Sequence, residues 1–170
     1  SSPKIHNIES LKEQMSNMEE DSLNININLQ HPRKTKFGYY LLNSNKEFFI
    51  QTPIMNINSE MYDYRNKRYI DINFTLNSNN KILYDFMHNL DNYIIKLINK
   101  NFKKWFNKEL PLKIIEKLYT STLLVPDEEE KSPYVIFEIP LHNDNPDIII
   151  FNDKNQKITF DKITKGDDCI

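Results

Sequence analysis

Tyr69-Ile70-Asp71-Ile72-Asn73-Phe74-Thr75-Leu76, followed by Asn77-Ser78-Asn79-Asn80 and then Lys81-Ile82-Leu83-Tyr84-Asp85-Phe86, is where the hydrophobic period of the chain changes. Up to Leu76 the period is two. Ile70, Ile72, Phe74 and Leu76 share one face, and Tyr69, Asp71, Asn73 and Thr75 share the other, as in a strand with one buried and one wet side. Beyond the polar Asn77–Asn80 break, Leu83, Phe86, Leu90, Tyr93, Ile94, Leu97, Ile98 and Phe102 form a stripe at helical spacing. This spacing predicts a helix from about Lys81 to Asn107, with the Asn/Ser break supplying its turn and N-cap.

Upstream, Phe37–Leu42 and Glu47–Ile57 read as two strands joined at Asn43-Ser44-Asn45-Lys46. Pro53 within the second run marks an edge or a bulge, because proline donates no ladder hydrogen bond. Residues 1–30 read as a polar arm containing a short amphipathic helix, Ile8–Met18, and an alternating stretch, Asn24–Leu29. Downstream, Pro111 can open a second helix running to about Leu118. Val125–Ser132 is an acidic loop, Tyr134–Leu141 alternates, and Asp147–Phe151 with Gln156–Phe160 suggests a hairpin. The expected fold is α+β. It would be one domain over residues 31–170, an OB-like antiparallel barrel or sheet with a helical insertion between strands three and four.

Composition excludes several chemistries. Two glycines, Gly38 and Gly166, cannot build a phosphate-cradling glycine loop. The single Cys169 excludes a disulfide framework and favours a reducing, intracellular setting. His6, His31, His88 and His142 show no metal-ligand spacing, and Asp144-Asn145-Pro146-Asp147 lacks the glycine and terminal glutamate of a calcium loop. No catalytic residue, metal or cofactor is therefore expected. No apolar run has the length a bilayer requires, so a membrane is not an expected partner.

The net charge of −2 conceals a strong asymmetry. Residues 31–117 hold fifteen Lys/Arg against eight carboxylates, and residues 118–170 hold five against eleven. The basic middle also holds 15 of the 20 aromatic residues. Proteins that hold single strands combine a positive groove with rings on which bases stack. Two segments offer both features. In His31–Tyr40, Arg33, Lys34 and Lys36 lie beside Phe37, Tyr39 and Tyr40; in Met61–Tyr69, Tyr62, Tyr64 and Tyr69 interleave with Arg65, Lys67 and Arg68. All three arginines of the chain fall in these segments. The candidate strand-binding set is Arg33, Lys34, Lys36, Tyr40, Tyr62, Tyr64, Arg65, Lys67, Arg68 and Tyr69. Solvated loops and core aromatics give the same pattern without function, so exposure of these rings is the deciding question.

Tyr39-Tyr40-Leu41-Leu42, then Phe48-Phe49-Ile50-Gln51-Thr52-Pro53-Ile54-Met55, resembles the apolar hairpin of a conserved protein of nucleocytoplasmic large DNA viruses. Ser132–Pro140 and Asp147–Asn152 sit where that family places its next strands. Asn and Ile at 23 copies each, and no alanine, suit an A- and T-rich genome of that kind. The family has been likened to phage-type single-stranded DNA-binding proteins with an OB fold. The resemblance thus implies a non-catalytic single-stranded DNA-binding protein acting in viral DNA replication or repair. Its setting would be the host cytoplasm, nucleus or virus factory, or the virion. A virion or assembly protein that self-associates, basic middle against acidic end, is the alternative.

Overall fold

The computed structural model describes residues 5–18, 27–44, 49–75, 77–152, 154–159 and 162–169. In chain order the elements begin with β1 (Ile5–His6), α1 (Ile8–Met18), β2 (Arg33–Lys34), β3 (Tyr40–Leu41) and β4 (Phe49–Ile50). They continue with β5 (Met55–Ile57), β6 (Tyr62–Tyr64), β7 (Lys67–Asn73), α2 (Ser78–Phe106), α3 (Leu112–Leu118) and β8 (Leu123–Leu124). The last are β9 (Tyr134–Ile139), β10 (Leu141–His142), β11 (Asn145–Pro146), β12 (Ile150–Phe151), β13 (Lys157–Ile158) and β14 (Asp168–Cys169). The chain divides into two compact units, Ser1–Ile50 with Phe86–Ser121, and Gln51–Asp85 with Thr122–Ile170.

The second unit is built on β7. Its alternation places Ile70 and Phe74 inside, as expected, while Leu76 lies outside the described residues. The sheet runs β14-β5-β7-β9-β8, with β6 also paired to β7. All its pairings are antiparallel. Ile57, Ile70, Ile139, Ile150 and Ile163 form a buried cluster, with Ile72 and Ile158 packed against it. Branched aliphatic side chains suit this surface because their restricted rotamers cost little on a pleated sheet. Between β5 and β6 the ladder is interrupted, and the freed N–H of Asp71 donates to Ser59 Oγ at 3.1 Å. The strand order is open at both ends. Among the described residues no sheet closes into a barrel, and the fold is mixed α+β with small, mainly antiparallel sheets.

Helix α2 starts where the sequence predicts a cap. Asn77 Oδ1 accepts from the N–H of Asn80 at 2.8 Å, satisfying one of the orphan donors of a helix start. Helix α3 follows Pro111 and ends against Tyr119 in extended backbone. In the first unit, β1 and β4 pair in parallel, and β2 and β3 pair antiparallel. Asp91 of α2 is buried and accepts hydrogen bonds from the hydroxyls of Tyr119, at 2.7 Å, and Ser121. These bonds tie the segment after α3 back onto the long helix. Burial and the Asp91 carboxylate together push the Tyr119 hydroxyl pKa above its ordinary value.

Tyr40–Leu41 pairs backward onto Arg33–Lys34, and the forward partner expected across Asn43–Lys46 begins outside the described residues. Gly38, at φ +90°, closes this turn in the left-handed region that L-residues rarely adopt. Part of the turn expected at Asn43–Lys46, and Glu47 and Phe48 after it, lie outside the described residues. So does the first half of the alternating Asn24–Leu29 stretch; Leu29, at its described end, bridges to Ser44.

Candidate nucleic-acid interface

Each of the two basic, aromatic segments forms a hairpin, one in each unit. In the first unit, the loop Thr35–Tyr39 joins β2 to β3. The N–H and the hydroxyl of Thr35 both donate to Tyr39 O, at 2.8 and 3.0 Å, while Thr35 Oγ1 accepts from Phe37 N–H at 3.3 Å. One threonine thus holds the loop shut while its neighbours face solvent. Phe37, Tyr39 and Tyr40 are 56%, 50% and 47% exposed. Phe37 and Tyr39 stack with centroids 6.2 Å apart and planes 12° from parallel, and Lys36 Nζ lies 5.1 Å from the centre of Phe37. Arg33, Lys34 and Lys36 are exposed, and among the described residues none of them enters an ion pair.

Tyr40 meets Phe106 edge to face at 5.0 Å, which seats the hairpin on the last turn of α2. Phe106 also packs on Phe102 and Trp105, at 4.6 and 6.5 Å. Lys100, Lys103 and Lys104 are exposed on these final turns, where the carbonyl end of the helix dipole favours cations. Lys103 is paired to Glu109. A shallow groove of about 280 Å³ opens between Ile27–His31 and the Leu97–Trp105 turns of the same unit.

In the second unit, β6 and β7 form a tight hairpin. Tyr62 faces Tyr69, Asp63 faces Arg68 and Tyr64 faces Lys67. Arg65 and Asn66 carry φ of 51° and 63°, the mark of a type I′ turn, whose twist matches the paired strands. Tyr62 and Tyr64 are exposed, and Tyr69 is half-buried, stacked on Tyr62 at 5.9 Å. The cations here have partners. Arg68 grips Asp63 through Nε and Nη2 at 2.8 and 3.2 Å, Lys67 pairs with Glu138 at 2.6 Å, and Arg65 lies 5.0 Å from the centre of the Tyr64 ring. The guanidinium of Arg68 holds Asp63 below the usual carboxylate range, and the Glu138 carboxylate holds the Lys67 ammonium above its own. The Tyr62 hydroxyl donates to Asp71 at 2.9 Å; partial burial, then that bond, pushes its pKa up to about 12.

Charge also divides by unit. The first unit carries thirteen Lys/Arg against nine carboxylates, net +4; the second carries nine against fifteen, net −6. The sequence reading missed Trp105, Phe106, Asn101 and Lys104, which belong to the basic unit. Their signal was the lysine run at the end of α2, which resembles an ordinary solvated helix face. Among the described residues no group of His, Cys, Asp and Glu is arranged to hold a metal ion, and no helix is long and apolar enough to cross a membrane. Comparison of the chain with protein-family models, curated proteins and solved structures finds no match.

Proposed function

We propose that the chain binds single-stranded nucleic acid, with single-stranded DNA as the leading ligand, through its basic unit. The observation that carries this is the hairpin β2–β3. It presents three exposed cations, without ion-pair partners among the described residues, beside three exposed rings. Arg33, Lys34 and Lys36 contact phosphates, while Phe37, Tyr39 and Tyr40 offer faces to bases, an interaction that contributes roughly 1–3 kcal/mol per base. Hairpin β6–β7 contributes less. Lys67 and Arg68 must leave Glu138 and Asp63 before they can hold a phosphate, so Tyr62, Tyr64, Arg65 and Tyr69 are its main contacts. A strand-protecting role in viral replication or repair, and the strand–helix–strand order of an OB-type fold, belong to the same proposal.

The test is a titration of fluorescently labelled oligo-dT, followed by anisotropy at about 50 and about 200 mM salt, because phosphate contacts make affinity fall steeply with salt. Binding should tighten with oligonucleotide length and weaken at the higher salt. No binding at the lower salt contradicts the proposal. The opposite charges of the two units support a second reading, self-association of copies through unlike units. It predicts salt-sensitive mass by light scattering without nucleic acid, and a monomer at every salt contradicts it.

A further inference from the structure

We propose that the groove beside α2 seats one nucleobase of the bound strand and prefers bases that carry an exocyclic amino group. This rests on the nucleic-acid reading and deepens it. At about 280 Å³ the groove lies near the lower end of ligand sites, which run from about 300 to 1,000 Å³. It suits one flat ring system better than several nucleotides. Its lining supplies what a base needs: Leu97 and Ile27 as apolar walls, the half-buried Trp105 as a stacking surface, and Lys104 as a cation for the attached phosphate.

Asn101 supplies selectivity. Its Nδ2 donates to the backbone oxygen of Leu97 at 2.9 Å. A carbonyl can only accept, so this bond fixes which way the carboxamide is turned. The group left for a ligand is Oδ1, an acceptor. Adenine and cytosine offer it an amino N–H at the edge of the ring. Thymine offers one ring N–H flanked by two carbonyl oxygens, which face Oδ1 with like polarity. The groove is also continuous with the proposed strand contact, since Trp105 packs on Phe106 and Phe106 packs on Tyr40 of the hairpin. A strand stacked along the hairpin reaches the groove without leaving the basic unit.

Trp105 is the only tryptophan of the chain, so the intact protein reports on the groove directly. Labelled oligo-dC and oligo-dT are titrated at mildly alkaline pH, with label anisotropy and tryptophan emission read together. The expected result is quenching of Trp105 and binding of oligo-dC roughly tenfold tighter than oligo-dT, the worth of about one hydrogen bond. Asn101→Leu should bring the two affinities together, with a circular dichroism spectrum that matches the wild type showing that the variant is folded. Anisotropy binding without any change in emission, or equal wild-type affinities for the two oligonucleotides, overturns the groove proposal and leaves the strand-binding reading standing. No binding of either oligonucleotide overturns both.

Discussion

The two hairpins contain nearly the same residue types, yet their charges are in different states. In β6–β7, the register places Asp63 opposite Arg68, and the neighbouring β9 places Glu138 within reach of Lys67. In β2–β3, the register places Arg33 opposite Leu41 and Lys34 opposite Tyr40, so no carboxylate stands across the ladder. Cross-strand partners, rather than composition, set how much positive charge a hairpin shows to a ligand. The difference also extends to the surroundings, since the first hairpin belongs to the unit of net charge +4 and the second to the unit of −6.

Reversing the charges of the first hairpin is the strongest way to break this comparison. Arg33→Glu with Lys34→Glu and Lys36→Glu should weaken oligo-dT binding on the order of a hundredfold at low salt. Circular dichroism should be unchanged, because these side chains are exposed. Next come the rings: Phe37→Ala and Tyr39→Ala should each cost about 1–3 kcal/mol of binding, read by the same titration.

A smaller effect is expected in the second hairpin and concerns stability. The folded-state pKa of Tyr62, about 12, lies above its unfolded value of about 10. Its contribution is therefore fully present below pH 10 and is lost as pH rises from about 10 to about 12. Tyr62→Phe should flatten that part of the stability curve, measured by urea unfolding across the window. The smallest effect is reserved for Lys67→Gln with Arg68→Gln, which should change oligo-dT affinity by less than about threefold, since exposed pairs of this kind contribute little and these cations are already engaged.

The sequence carried the helices and the central strand, because each has a strong period of its own. Ile8–Met18 matches α1, and the Leu83–Phe102 stripe falls within α2. Strand β7 ends where the alternation of Tyr69–Leu76 predicts, within a few residues. The hairpins were harder to read because their turns lack the usual Asn-Gly or Asp-Gly signal. Arg65-Asn66 turns β6 into β7, and Asn143-Asp144, at φ 50° and 62°, turns β10 into β11. The second turn lies where a cation loop had to be considered. For the candidate site, the sequence supplied the residue types of both segments. It could not supply the pairing of Arg68 and Lys67 with Asp63 and Glu138, since Lys67 and Glu138 are joined only when β7 and β9 lie side by side. Nor could it place Tyr40 on Phe106.

The most direct test of the account compares the salt dependence of oligo-dT affinity for three full-length proteins. These are the wild type, Arg33→Gln with Lys34→Gln and Lys36→Gln, and Arg65→Gln with Lys67→Gln and Arg68→Gln. Each lost phosphate contact lowers the log–log slope by about 0.7 for a single strand, so the first variant should lose roughly two units and the second well under one. Equal losses in the two variants, or a larger loss in the second, would contradict the claim that hairpin β2–β3 carries the strand.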